Sequence, residues 1–575
     1  MSMICVPIMV EEANNALLDA SLAQAKGADL VEYRVDLLFE DRDDESLEIR
    51  IARVLDLVKE SPLPCIVTCR PHWEGGDYHG DDDQRIALYL ALGTSDHPPA
   101  YIDVELATYT RSANIRQKIN LAVGHGLIRK LLRTSSTRLI LSSHDFEGRP
   151  SDLTRKIIAM NDEPACSVVK IAYRARSIRD NLEIFEILRD RQKPTIALCM
   201  GEFGLMSRVL APKFGGLLTF ASLRDEAMTA PGQPTIDELL GLYRFRSIKA
   251  TTKVYGIIGW PVTQSMSPLV HNAGFENICW DGVYLPMPIV ADPNDPEGSE
   301  TSFNVTVSQL IEDKSVIFCG ASVTIPHKEH AAIIPIRGLL NCFYKNDPVK
   351  RIGAANTITQ WWSNIEFDHR TCDGISLVNS DATAIHDLLQ DMLGDLNGKK
   401  IALIGAGGVA KAAASSSARD GAAVLIINRT HSRATETAEQ LLTDSEDGYF
   451  GSIHAIDMDQ LPDLIADAYI NCTPVGMKDG PDPEGLSIPI DDMPPLPPET
   501  VFFDTVYNPI ETPMLKAAKD HGYRTIDGVQ MFVKQAEAQF ELWTEQSAPA
   551  GLFDQLVREK FVCEQPSDSG PTKHQ

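Results

Sequence analysis

The chain lacks any apolar run long enough to span a bilayer, and it carries no low-complexity tract. It is also short of positive charge: 53 Lys and Arg stand against 80 Asp and Glu, a net charge of −27. That balance argues against nucleic acid and acidic membrane surfaces, both of which need a basic face. Small anionic ligands are not excluded, since they need only a local arginine or lysine cluster. Metal-ligand spacing is missing too. Cys65 and Cys69 have no second Cys/His pair to complete a zinc site, and no metal is expected. The eleven cysteines are an odd number, and Cys65, Cys69 and Cys199 fall inside apolar runs as core thiols do. A reducing cytosol fits better than a disulfide framework. The start, Met1-Ser2-Met3-Ile4-Cys5-Val6, has no basic leader or transit composition. The expectation is a soluble, cytoplasmic protein with small-molecule partners. Its oligomeric state is not legible.

At 575 residues the chain exceeds one core, and its length predicts three or four domains. Up to about Tyr243, short apolar runs alternate with helical stretches, at 4–10, 30–37, 64–69, 100–106, 138–143, 166–172, 194–199 and 216–221. Eight such runs predict an α/β fold of the (β/α)8 barrel type, a doubly wound sheet being the alternative.

Polar residues collect where these runs end, which is where a barrel does its chemistry. The run Cys166-Ser167-Val168-Val169-Lys170 brings a lysine to the end of an apolar strand. Burial disfavours its ammonium and frees an amine nucleophile. Glu32, Arg34 and Asp36 alternate on one face, pointing into the barrel. Arg70 leads into Glu74-Gly75-Gly76, Asp103 and Glu105 share a face, and the fifth run ends Ser142-Ser143-His144-Asp145. Ser207-Arg208 follows the seventh run, and Thr229-Ala230-Pro231-Gly232-Gln233 the eighth. Each has a bland alternative: a lone histidine is more often structural, and Glu32–Arg34 reads equally as an interior ion pair. Together they suit a carboxylated carbonyl substrate, with lysine for an imine, histidine for proton transfer and arginine for the carboxylate.

These ordered motifs resemble type I 3-dehydroquinate dehydratase across residues 1–245. The resemblance implies that Lys170 forms a Schiff base with the substrate ketone, His144 moves the proton and Glu74 orients His144. It further implies that Arg208 binds the carboxylate while Glu32, Arg34, Arg70, Thr229 and Gln233 frame the site. Thr229 stands where the family often has serine, which predicts an altered loop contact and retained activity.

A new start appears at Lys253-Val254-Tyr255-Gly256. Ser265-Met266-Ser267-Pro268, Thr324-Ile325-Pro326-His327-Lys328 and Gly353-Ala354-Ala355-Asn356 then place hydroxyls, amides and a lysine at strand ends. Such residues suit a polyhydroxylated ligand, but they also cap helices and make turns. The sharper signal is the strand 401–404, the loop Gly405-Ala406-Gly407-Gly408-Val409-Ala410 opening a helix, and a second strand ending Asn428-Arg429-Thr430. This is a dinucleotide fingerprint, in which glycines let amides meet a pyrophosphate at a helix N-terminus. Arg429 stands where a carboxylate would hold an NAD ribose, and so favours NADP.

With Asn471-Cys472-Thr473-Pro474, Tyr507-Asn508-Pro509, Gly528-Val529-Gln530-Met531 and Gln535, these motifs resemble shikimate dehydrogenase over 253–561. The resemblance implies Lys328 and Asp381 as the proton-transfer pair. It places Ser265, Ser267, Thr324, Asn356, Tyr507 and Gln535 around the substrate, and Thr473, Gly528 and Met531 beside the cofactor. Asp373-Gly374 is a rival to Asp381, read as a turn. Gln264 and Ser322 depart from the common histidine and asparagine, so ring-substituent preference is open. Paired serines lean towards shikimate, with quinate the alternative. A non-catalytic metabolite sensor is a further alternative, but it should have lost a lysine or histidine or gained a DNA-binding segment.

The expected organisation is a barrel at 1–245, a substrate lobe at 253–378 completed by 532–562, a Rossmann NADP lobe at 379–531 and a disordered tail at 563–575. The expected function is two consecutive shikimate-pathway steps: dehydration of 3-dehydroquinate, then NADPH-dependent reduction of 3-dehydroshikimate.

Overall fold

A computed structural model describes residues 2–39, 45–131, 136–224, 232–335, 343–363, 371–443 and 451–564. One compact unit ends at Thr252 and a second begins at Lys253. Among the described residues no helix is long and apolar enough to cross a membrane. Cys65, Cys69 and Cys199 are buried free thiols.

The first unit is built on eight strands: β1 (Met3–Met9), β2 (Leu30–Arg34), β3 (Cys65–Thr68), β4 (Tyr101–Glu105), β5 (Arg138–Asp145), β6 (Cys166–Arg174), β7 (Thr195–Met200) and β8 (Leu218–Phe220). Their order is β7-β6-β5-β4-β3-β2-β1-β8, and the ladders between them are parallel. Leu217 N donates to Thr195 O at 2.8 Å and brings the two edge strands together. The result is a barrel, and the doubly wound alternative falls.

Period-two alternation explains both the plug and the site. Leu30, Ile66, Tyr101, Ile140, Val168 and Ile196 form one buried apolar cluster, each from a different strand. Two residues further along those strands stand Glu32, Thr68, Asp103, Ser142, Lys170 and Leu198, and two further again Arg34, Arg70, Glu105, His144, Ala172 and Met200. The apolar layer seals the barrel beneath the charged ones. Two strands are longer than expected, because β5 and β6 stay in register through His144↔Ala172 and Asp145↔Tyr173. Lys170 therefore lies inside β6 rather than at its end, which is why it is 4% exposed.

The second unit holds two six-stranded sheets. The first contains β9 (Lys253–Gly259), β10 (Gly282–Pro288), β11 (Phe318–Val323), β12 (Phe343–Lys345), β13 (Thr357–Ser363) and β14 (Thr371–Val378), in the order β10-β9-β11-β13-β14-β12. Asp373, expected in a turn, falls in β14, whose ladder with β13 continues through Gly374. The second contains β15 (Lys400–Ile404), β16 (Ala423–Ile427), β17 (Ser452–Ile456), β18 (Ala468–Asn471), β19 (Val501–Asp504) and β20 (Arg524–Ile526). All its ladders are parallel, in the order β17-β16-β15-β18-β19-β20. This is the doubly wound dinucleotide-binding order, with the switch point beside β15.

The helix Gly528–Thr544 joins the two lobes. A capping box of Asp527 and Gln530 starts it. Met531 packs into the nucleotide-lobe core. Val529, Phe532, Ala536, Phe540 and Trp543 pack with Tyr255, Phe275 and Phe553 in the substrate lobe. The final helix, Leu552–Glu564, runs two residues into the expected tail, and the remaining eleven lie outside the described residues.

Candidate active sites

In the barrel, a cavity is lined by Lys170, His144, Glu74, Arg208, Glu32 and Gln233, with Arg34 and Arg70 also on its wall. Lys170 Nζ lies 2.7 Å from Asp103 Oδ2 and 3.3 Å from Glu32 Oε1. The sequence supplied burial as the activating influence on this lysine; the structure adds two carboxylate partners. His144 Nδ1 meets Glu74 Oε2 at 3.0 Å. Burial holds His144 well below the ordinary imidazole range, with Arg70 and Lys170 adding to the effect. His144 is thus a neutral base. Burial also pushes the Glu74 carboxyl up to about 8, against the pull of Arg70.

Arg34 pairs with Asp36 at 2.6 Å, and Asp36 also accepts from the Arg70 amide at 2.8 Å, so this strand end is locked by its own charges. Arg208, on the short helix Leu205–Val209, is 1% exposed. Its Nε and Nη2 are buried with no hydrogen-bond partner among the described residues. Burial pulls its guanidinium down to about 10. An unpaired buried guanidinium beside a cavity is costly unless an anion comes to it. Thr229 lies outside the described residues, while Gln233 is buried against the cavity.

Sequence reasoning gave no role to Ser142, Arg85 or the pair Asp103 and Glu105. Arg70 Nη1 donates to Glu105 Oε1 at 2.8 Å and to Ser142 Oγ at 2.9 Å. Arg85, from the helix Asp82–Thr94, meets the other Glu105 oxygen at 2.5 Å. Asp103 and Glu105 were recognisable as interior by their spacing, but a buried helix arginine has no signature.

In the second unit, Lys328 opens the helix Lys328–Ile333 just after β11, and its Nζ lies 2.5 Å from Asp381 Oδ2. Asp381 sits in the first turn of Ser380–Leu393, where Asn379 accepts from the Ala382 amide as N-cap. Asn356 Nδ2 donates to Gln535 Oε1 at 3.2 Å and to Ser380 Oγ at 3.0 Å. Ser265 Oγ accepts from the Ser267 amide at 3.2 Å, and Thr324 is half-buried directly after β11. Tyr507 packs against Phe532 with the rings tilted by 38° and their centroids 5.7 Å apart.

A hydrogen-bond chain runs beneath these groups. Tyr284 donates to Ser322 at 2.7 Å, Ser322 to Gln539 at 2.8 Å, and Gln539 to Thr357 at 3.0 Å. The departure at Ser322 is thereby engaged, whereas Gln264 is exposed. Tyr284 and Gln539 were missed, although Gln535 and Gln539 share a helix face.

At the nucleotide loop, Gly405 has φ +120°, and a Cβ there would come within 2.9 Å of Cys472 O. Only glycine fits that approach to the end of β18. A Cβ on Gly407 or Gly408 would meet nothing within 4 Å, so open space faces the N-terminus of Gly408–Arg419. Val409 and Ala406 pack against the lobe core, and Ala410 is fully buried. Asn428 Nδ2 donates to Thr430 O, while Arg429 is exposed after β16 with no partner among the described residues. Thr473 is tied to Asn471 at 2.6 Å. Gly528 abuts Val506 O, which a Cβ would meet at 2.2 Å. Met531 is 6% exposed in the lobe core, so its side chain packs rather than reaching into the open space.

Comparison with known proteins follows the same division. Residues 4–250 match the family model for type I 3-dehydroquinase. Residues 257–358, 387–476 and 528–558 match those for the shikimate dehydrogenase substrate binding domain, shikimate / quinate 5-dehydrogenase and the shikimate 5'-dehydrogenase C-terminal domain. The chloroplastic bifunctional 3-dehydroquinate dehydratase/shikimate dehydrogenase of Arabidopsis thaliana is 36% identical, over 97% of this chain and 84% of its own. The shikimate biosynthesis protein AroDE of Chlamydia pneumoniae is 28% identical over 90% of each chain. The shikimate dehydrogenase (NADP(+)) of Methanocella arvoryzae is 31% identical over 53% of this chain and 98% of its own. The chain belongs to the family of bifunctional 3-dehydroquinate dehydratase/shikimate dehydrogenases.

Proposed function

We propose that the barrel dehydrates 3-dehydroquinate to 3-dehydroshikimate through a Schiff base at Lys170, and that the second unit reduces this product to shikimate with NADPH. The observation that carries the first step is the convergence on one cavity of a buried lysine, a neutral histidine and a partnerless arginine. Arg208 takes the carboxylate, with Glu32, Arg34, Arg70, Thr229 and Gln233 framing the ring. Lys170 attacks the ketone as the amine, and the proton that its ammonium sheds leaves with the ketone oxygen as water, so that a protonated iminium remains. The iminium acidifies the neighbouring carbon, and His144 removes that proton through the ring nitrogen facing away from Glu74. Glu74 accepts from His144 Nδ1–H and keeps the other nitrogen a base. His144 then returns the proton to the departing hydroxyl, and hydrolysis of the imine frees the product.

In the second unit, the residues fit a dinucleotide: open space over Gly407 and Gly408 at a helix N-terminus, and an unpaired Arg429 beyond β16. The amides of 405–410 would hold the pyrophosphate, and Arg429, flanked by Asn428 and Thr430, the 2′-phosphate. Thr473 and Gly528 shape the wall, and Met531 supports it from the core. NADPH supplies hydride when bound. Lys328, held by Asp381, gives the proton that turns the ketone oxygen into a hydroxyl. Ser265, Ser267, Thr324, Asn356, Tyr507 and Gln535 orient the ring.

The work divides between 1–245 for dehydration, 253–378 with 532–562 for the ring substrate, and 379–531 for the dinucleotide. The buried free thiols support a reducing, cytoplasmic setting, and the charge of −27 supports small-molecule partners over nucleic acid or membrane. The test is borohydride reduction in the presence of 3-dehydroquinate, read by mass spectrometry, beside an NADP-linked absorbance assay with shikimate and with quinate. An adduct on Lys170 and NADP reduction by shikimate are expected. No adduct on Lys170 would overturn the first step, and NADP reduction by quinate alone would overturn the assignment to shikimate.

A further inference from the structure

The two carboxylates beside Lys170 are held differently. Asp103 is fully buried and does not line the cavity. Its Oδ1 accepts from Ser142 Oγ at 2.5 Å and lies 3.0 Å from Arg70 Nη2, while its Oδ2 faces Lys170. Arg70 is itself fixed by Glu105, and Glu105 by Arg85. Asp103 is therefore immobilised from behind. Glu32 lines the cavity and, among the described residues, has the Thr68 hydroxyl, at 2.6 Å, as its one further side-chain hydrogen-bond partner.

Condensation changes how many hydrogens Lys170 can offer. An ammonium has three N–H bonds and serves both carboxylates. When it reacts with a ketone, a C–N bond forms and the C–O bond breaks. The ketone oxygen leaves as water, carrying two of the ammonium hydrogens, and the iminium keeps its positive charge and one N–H. That single donor can serve one carboxylate. We infer that Asp103 is the lasting counter-ion of the iminium, and that Glu32 is a temporary partner of the lysine which imine formation releases to accept a hydrogen bond from a substrate hydroxyl. The inference rests on the proposed Schiff-base role of Lys170.

The charge on Asp103 persists through the cycle. Burial alone would raise its carboxyl, but Arg70 and Lys170 hold it well below the ordinary carboxylate range. The charged or titratable groups facing Lys170 are Glu32 from β2, Arg70 beyond β3, Asp103 from β4 and His144 from β5, with Cys5 of β1 nearby. The β7 side chains Leu198 and Met200 are apolar, and the Phe220 ring of β8 lies 4.8 Å from Nζ. Arg70 stays cationic and His144 neutral. Glu74, which also lines the cavity, is pushed up to about 8 and so titrates near neutrality, and the experiment removes it.

The test measures the borohydride-trapped adduct on Lys170 against pH, with 3-dehydroquinate, in the full-length Glu74→Gln protein and in that protein carrying Asp103→Asn or Glu32→Gln. Loss of the counter-ion favours the uncharged imine. The alkaline limb of trapping is then expected to move about one to three pH units lower in Asp103→Asn, while in Glu32→Gln it stays and the 3-dehydroquinate concentration for half-maximal trapping rises. An unmoved alkaline limb in Asp103→Asn, or equal movement in both variants, would overturn the inference. Should Asp103→Asn fail to give a cooperative thermal melt, Ser142→Ala, which unties Asp103 and keeps its charge, is expected to move the same limb the same way by less; no movement there would overturn it. Absence of adduct in the wild-type protein would strike the Schiff-base reading instead.

Discussion

Lys328 Nζ and Asp381 Oδ2 lie 2.5 Å apart although the residues are 53 positions apart and belong to different lobes. Lys328 is fixed at the start of a helix beyond β11, and Asp381 by the Asn379 cap between β14 and β15. The pair therefore forms where the substrate sheet meets the nucleotide lobe. Lys328→Met and Asp381→Asn are each expected to lower kcat for shikimate oxidation by about 10²–10⁴-fold, the usual scale for a positioned acid or base. NADP binding, read by fluorescence, should hold, because neither side chain belongs to the glycine loop. Wild-type kcat in both variants would remove the pair from the chemistry.

Arg208 predicts opposite effects on binding and stability. Its buried, partnerless nitrogens cost the folded barrel free energy that an apolar side chain would not. Arg208→Leu should raise KM for 3-dehydroquinate about 100-fold or more, on the scale of a lost charge-assisted contact, while the melting temperature of the barrel stays level or rises. A fall in both would mean that the guanidinium supports the fold rather than the ligand.

Arg429 is exposed and unpaired beside the nucleotide loop, so its loss should leave the fold intact. Arg429→Ala is expected to raise KM for NADPH by about 10–100-fold and leave KM for NADH unchanged. Equal loss for both cofactors would contradict recognition of the 2′-phosphate.

His271 sits among the rings of Phe275, Tyr284, Trp543 and Phe553. Burial lowers its pKa to about 3, whereas the unfolded chain takes up that proton near pH 6.5. The folded value is depressed, so the stability of the second unit is full above pH 6.5 and falls as the pH drops towards 3. The loss is about 1.4 kcal/mol for each pH unit. Urea melts at pH 7 and pH 5 should diverge less in His271→Phe than in wild type. Equal divergence would place the acid sensitivity elsewhere.

Much of this was legible because the barrel writes its interior at period two. Glu32–Arg34, Asp103–Glu105 and Ser142–His144 each announce an inward face, and Gly405-Ala406-Gly407-Gly408 between two strands announces a dinucleotide loop. Depth was harder. Pairing of His144 with Ala172 extends β6 past Lys170 and buries it, and no local feature of the sequence states how far a ladder runs. Groups that serve as partners were harder still. Arg85 and Gln539 sit on helices, where a buried polar side chain breaks the apolar pattern only as any exposed one would. Asp373 misled because Asp-Gly favours turns, yet here it is the bulged residue of β14, between Cys372 and Gly374, which both pair with β13.

The most direct test supplies the purified chain with 3-dehydroquinate and NADPH alone and follows NADPH absorbance and shikimate formation. Both should proceed in wild type. Lys170→Ala should stop both until 3-dehydroshikimate is added, and Lys328→Met should stop NADPH oxidation while 3-dehydroshikimate accumulates. Wild-type protein that makes 3-dehydroshikimate but never consumes NADPH, or a Lys170→Ala variant that still converts 3-dehydroquinate, would contradict the account of two consecutive steps on one chain.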